Sequence, residues 1–223
     1  LALAGDVLMV NDSDDPEMCY HADRFLMDAL ADSLPEMPHL AVFKGPPWNF
    51  VENGVLAIFQ NVIRQLGGDI QDVIIPPVVE DALSVHAIIM NASATANPGR
   101  YLEHADKLLP ETVKRISAGL EISAADYVGA IDKAEAIHHA LDQILEKFDA
   151  LITLAAPGEA PLGLHSTGNP VFQKIWTLTG MPTISLPLMK GPNGMPIGLQ
   201  VIGRRGHDTE LFRVAQWVED KLS

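Results

Sequence analysis

Apolar and polar positions alternate between two rhythms along this chain. Asn53 to Leu66 (NGVLAIFQNVIRQL) places Val55, Ile58, Phe59, Val62, Ile63 and Leu66 at helical spacing, and Gly67-Gly68 supplies the stop signal. Ile70 to Ile75 then reads as a strand ended by Pro76-Pro77. The same alternation predicts a short strand over Leu40 to Phe43 before Lys44-Gly45-Pro46-Pro47, and helices over Val78 to Ala96 and Leu102 to Ala118. Ser123, with Asp126 three residues on, is close to a capping box and opens a helix running to about Phe148. A strand follows over Phe148 to Leu154, closed by Ala155-Ala156-Pro157-Gly158. The chain ends in a helix over Asp208 to Leu222, with Asp208 as the expected N-cap. Helix, Gly, strand, Pro is the rhythm of an α/β protein.

The densest pattern lies between Gly163 and Gly203. Gly168-Asn169-Pro170 is turn chemistry, Val171 to Thr179 is a short helix, and Gly180 and Pro182 stop it. Thr183 to Leu188 and Ile197 to Gly203 are apolar runs joined by Lys190-Gly191-Pro192-Asn193-Gly194. They read as two adjacent strands paired antiparallel. Their apolar residues nearly fill both faces, so the sheet is expected to be covered on both sides. The fold class is therefore α/β, with a mixed β-sheet flanked by helices on both faces. Gln200 interrupts the second run. Buried there, its amide needs hydrogen-bond partners, so it is expected to tie strand to loop.

At the other end, Leu1 to Val10 reads as an apolar helix with no Met and no cap before it, which predicts that residues upstream are missing. Asn11 to Glu17 is an acidic loop favouring the start of the next helix, over Tyr20 to Leu30. Pro16 and Ala22 stand where a calcium loop needs Gly and Glu.

Composition narrows the function classes. With 223 residues, 48% of them hydrophobic, the chain can bury a substantial core as one domain. No apolar run is long enough to span a bilayer and no basic signal segment is visible, so a soluble, cytoplasmic protein without a membrane partner is expected. The net charge of −14 argues against nucleic acid as a partner. The single cysteine, Cys19, excludes an internal disulfide and is read as a small packed side chain. His86 reads as a core or edge residue. The adjacent His138-His139 point in different directions and read as a solvated face. No metal site and no cofactor are expected.

Several features of the Gly163–Gly203 stretch occur in one order. They are Gly168-Asn169-Pro170, Trp176-Thr177-Leu178, Gly180-Met181-Pro182, Leu186-Pro187 and Gly198-Leu199-Gln200. Together they resemble the C-terminal block of the amidase signature family, with weaker similarity to both ends of the chain. The resemblance implies an amide hydrolase working with a Ser-Ser-Lys triad on a small-molecule amide. Family triads lie in the N-terminal half, and the match begins after it. No Gly/Ser-rich nucleophile loop occurs here, none of the scattered serines sits in Gly-x-Ser-x-Gly, and no catalytic residue is assigned. The expected role is scaffold and pocket wall: Pro157, Gly158, His165, Ser166 and Trp176 at the substrate pocket, and Gly168, Asn169, Pro170, Gly180, Pro182 and Gln200 as structural motif. Trp176 reads first as core packing. Ser166 and Thr167 are expected to cap the turn at Gly168. The implied partner is the missing N-terminal half or a separate partner chain, as in an amidotransferase complex, with a homo-oligomer or a non-catalytic binding module as alternatives.

Overall fold

The computed structural model describes residues 1–8, 14, 25–31, 34 and 36–223. Cys19, the acidic loop apart from Asp14, and the first part of the Tyr20–Leu30 helix lie outside the described residues.

One five-stranded sheet forms the middle layer. Its strands are β1 (Leu40–Val42), β2 (Gln71–Asp72), β3 (Ala150–Leu154), β4 (Thr183–Lys190) and β5 (Pro196–Ile202), in the order β2-β1-β3-β5-β4. β1 pairs parallel with β2 and β3, while β5 runs antiparallel between β3 and β4. The expected antiparallel pair is thus present. β4 is an edge strand whose register shifts between Leu186 and Met189, around Pro187.

Helices cover both faces, as expected for a mixed α/β sheet. On one side Leu40, Val42, Ile152, Leu154, Leu199 and Val201 pack against α3 (Val55–Leu66) and α8 (Asp208–Leu222), which contribute Phe59, Val62, Leu211, Val214 and Val218. On the other, Ala41, Leu151 and Ile202 meet α4 (Ala82–Ala96), α6 (Ala124–Leu145) and α7 (Lys174–Thr179) through Val85, Ile137, Leu141, Ile175 and Trp176. α5 (Pro110–Gly119) packs on α4, and α2 (Leu26–Ala31) packs on α8. The chain opens with α1 (Ala2–Leu8), whose Asp6 carboxylate accepts from Leu26 N at 2.6 Å and Met27 N at 2.9 Å and so caps α2.

Local chemistry explains most boundaries. Ser123 Oγ accepts from Asp126 N at 3.1 Å, and Asp126 Oδ2 accepts from Ser123 N at 3.3 Å, which completes the capping box. Gly180 ends α7 with φ +64, a conformation glycine adopts without Cβ strain. Above it Arg205 donates from Nε, at 3.1 Å, and Nη2 to the Thr179 carbonyl. Arg204 reaches α6 instead, donating from Nε to Asp142 Oδ1 at 2.8 Å and from Nη2 to Oδ2 at 2.6 Å.

Four expectations are corrected. The Ile70–Ile75 run ladders only over Gln71–Asp72, because β1 stops at Val42 and the chain turns away at the prolines. Val73 N to Val42 O is the last bond. The stretches after Pro76, Asn97 and Asn169 begin as 3-10 turns, over Pro77–Asp81, Pro98–Lys107 and Pro170–Gln173. His207, not Asp208, takes the N-cap position of α8, and Asp208 is its first residue. His139 is exposed as expected, but His138 is half-buried and its Nδ1 lacks a partner. Burial, then the Arg205 charge, lowers its pKa. Burial likewise lowers that of the half-buried His86, helped by Lys174 and Arg115.

This packing can be tested at two positions. Gly180→Ala is expected to lower unfolding stability by about 1 to 2 kcal/mol, through left-handed strain and crowding of the Arg205 fork, read as a fall in the urea midpoint. The Arg204 hydrogen bonds hold the Asp142 carboxyl below its ordinary value. Its contribution is therefore present above about pH 4 and is lost as pH falls through the lower folded value. The gap between the urea midpoints of wild type and Asp142→Asn should narrow as pH drops below about 4.

Candidate functional site

In an open α/β sheet, ligands favour the carboxyl ends of parallel strands where neighbouring strands send their connections in opposite directions. Here that place lies between β1 and β3. The segment after β1 leads through α3 to β2, and the segment after β3 leads through α7 to β4. The crevice is filled by the chain itself. Trp48 lies across it, and its Nε1 donates to Phe43 O at 2.8 Å and to Thr153 Oγ1 at 2.9 Å. Its ring meets Phe59 edge-on at 5.1 Å. Pro46, Pro47, Pro157 and Gly158 are buried around it. A Cβ at position 158 would meet the Glu52 carboxylate, so a larger residue there would push that side chain aside.

The loop after β3 has a fixed root. Ala155 N donates to Gly198 O at 2.9 Å, Glu52 N to Pro157 O at 2.9 Å, and Ala160 N to Pro196 O at 3.2 Å. The Glu159 carboxylate accepts from Asn193 N at 2.8 Å, Asn193 Nδ2 at 2.7 Å and Met195 N at 3.2 Å, which clamps the loop to the β4–β5 turn. Gln200 is 1% exposed. Its Nε2 donates to Gln173 Oε1 at 2.5 Å, and Gln173 Nε2 donates to Ala155 O at 2.7 Å. Strand is thus tied to loop through a residue, Gln173, that sequence reasoning did not single out. Gln200 Oε1 is left buried without a partner.

Beyond the root, residues 161–170 are exposed, His165 and Ser166 among them. Ser166 Oγ accepts from Gly168 N at 3.1 Å, and Asn169 Oδ1 accepts from Val171 N at 3.1 Å ahead of Pro170. Ser166 therefore holds the turn, while Thr167 is exposed. Trp176 is 3% exposed, packed edge-on against Phe43 at 4.9 Å, and its Nε1 has no partner. Pro182 is half-buried between Gly180 and β4. The structure brings Pro157, Gly158 and Gln200 to one region at the sheet's end, with His165 and Ser166 on the loop leading from it. A separate open groove of about 480 Å³ between α3 and the β1–β2 edge holds the Lys44–Asp72 ion pair and shares no residue with that loop.

These residues hold a strand-end loop but bring together no nucleophile, base and oxyanion donors. The Amidase family profile matches residues 1–212. The chain belongs to the amidase family. It is 31% identical over 167 residues to a fatty acid amide hydrolase of Medicago truncatula, covering 69% of this chain and 27% of that protein. It is 29% identical over 202 residues to a component of the glutamyl-tRNA(Gln) amidotransferase of Thermotoga maritima, covering 76% of this chain and 42% of that one. A solved bacterial aryl acylamidase of the amidase signature family shares the fold with a TM-score of 0.73 at 20% identity, over 99% of this chain and 50% of that one. The chain thus spans about half the length of solved amidases, and less of the curated relatives.

Replacing Gln200 by Leu should strand the Gln173 amide and cost about 1 to 3 kcal/mol. Unchanged expression and melting would remove Gln200 from its structural role.

Proposed function

We propose that this chain is the carboxyl-terminal part of an amide hydrolase of the amidase family, folded as one domain with a segment or partner chain that supplies the catalytic groups. What carries the reading is a family match over residues 1–212 in a chain with no Gly/Ser-rich nucleophile loop. Amide hydrolysis needs a nucleophile, a base and oxyanion donors held together. The chain's part is to form a wall for a small-molecule amide. Pro157 and Gly158 set the wall's root, His165 and Ser166 stand on its exposed side, and Trp176 supports it from the core. Gly168, Asn169, Pro170, Gly180, Pro182 and Gln200 hold that wall to the sheet. The reading takes the protein to be cytoplasmic, without a cofactor, and able to self-associate where the other half is lacking. Among the described residues no helix is long and apolar enough to cross a membrane.

A second reading is supported by relatives named as components of glutamyl-tRNA(Gln) amidotransferases, 28–29% identical over more than 200 residues. In that case the chain belongs to a multi-chain complex. Denatured intact masses of the purified sample separate the readings: a longer single chain, or one co-purifying chain of similar size, favours the hydrolase, and several further chains favour the complex. The mass-verified lone chain is expected to turn over no amide, and measurable turnover would overturn the division of labour proposed here.

A further inference from the structure

The chain holds two Asn-Gly dipeptides, Asn53-Gly54 and Asn193-Gly194. Such a pair can react with itself, because the bare glycine lets its backbone nitrogen approach the asparagine side chain. The nitrogen attacks Cγ. The N–Cγ bond forms, the Cγ–Nδ2 bond breaks, and the leaving nitrogen takes up the backbone amide proton and departs as ammonia. Water then opens the cyclic imide. Attack at Cγ gives aspartate, and attack at the backbone carbonyl gives a β-linked isoaspartate, whose main chain runs through the side-chain carbon.

The two dipeptides match in residue type and exposure. All four residues are exposed, and the glycines have φ +85 and +79. They differ in their bonds. Gly194 N donates to Gly191 O at 3.0 Å, and Asn193 Nδ2 donates to Glu159 Oε2 at 2.7 Å, so nucleophile and leaving group are both held. Among the described residues nothing bonds to the Asn53 side chain or to Gly54 N. We infer that Asn53 is a self-modifying position and that the Glu159 clamp protects Asn193 from the same reaction. This holds whether or not the loop after β3 is a pocket wall.

The consequence falls on the root of that loop. Val55 N donates to Glu52 O at 3.3 Å across the Asn53-Gly54 turn, and Glu52 N donates to Pro157 O at 2.9 Å. Val55 is 1% exposed and fixed in the core. An isoaspartate at position 53 adds a backbone carbon inside that turn, breaks the closing bond and slackens the hold of Glu52 on Pro157.

The test is to age the purified protein at mildly alkaline pH and map its peptides by mass, with fragmentation that distinguishes aspartate from isoaspartate. Each hydrogen bond that must open first slows ring closure by a factor of about five. Asn53 should therefore convert at least about tenfold faster than Asn193 in the same sample. Glu159→Ala should speed conversion at Asn193 and leave the rate at Asn53 unchanged. Equal rates at the two positions, or no conversion at Asn53, would overturn the inference in wild-type protein alone. An Asn193 rate indifferent to Glu159→Ala would remove the clamp from its protective role. The urea midpoint reads the effect on the loop root. It should fall as wild type ages and hold steady in aged Asn53→Ser. Asn53→Asp carries the new charge without the longer backbone, and should unfold with fresh wild type. A midpoint in Asn53→Asp as low as in aged wild type would overturn the part given to the isoaspartate.

Discussion

Both cores of this protein hang on β3. Its five residues are buried, with Ile152 and Leu154 on one side of the sheet and Leu151 on the other. It is also where the sheet changes from parallel, toward β1, to antiparallel, toward β5. A strand in that position cannot carry an unanswered polar group. Its one hydroxyl, on Thr153, is met by the Trp48 indole, so the segment after β1 is held to the strand beside it. The loop that leaves β3 starts from that fixed point.

Much of this layout was legible because burial writes itself into residue type. The apolar runs at Leu40, Ala150, Thr183 and Ile197 became strands, and Ser123 with Asp126 became the cap of α6. What could not be read depends on pairs distant in sequence. A strand is only as long as its partner allows, which is why Ile74 and Ile75 fall outside β2. His138 is half-buried beneath a cation, Arg205, that lies far along the chain. Helical spacing shows which face of α6 a residue occupies but not what will later lie over it.

The candidate site shows the same division. Gly168, Asn169 and Pro170 announce a turn locally, and the turn is there. Gln173, Glu159 and Glu52 carry no local signal, because each acts through an element remote in sequence: Gln173 on the end of β3, Glu159 on the β4–β5 turn, Glu52 on the loop root. Their roles exist only once the sheet is assembled. Catalytic groups are harder still to read, since a nucleophile and its base are recognised by a shared geometry and not by their positions along the chain.

The open edge of the sheet has a consequence of its own. Among the described strands β4 pairs only with β5, and open strand edges recruit other strands. Pro187 has no N–H to offer, and the shift in register around it breaks the even spacing a newcomer would need. A foreign strand would meet an interrupted ladder at the proline. A proline and a shifted register are the features that discourage edge-to-edge pairing, and here they lie in the same few residues that shape the sheet.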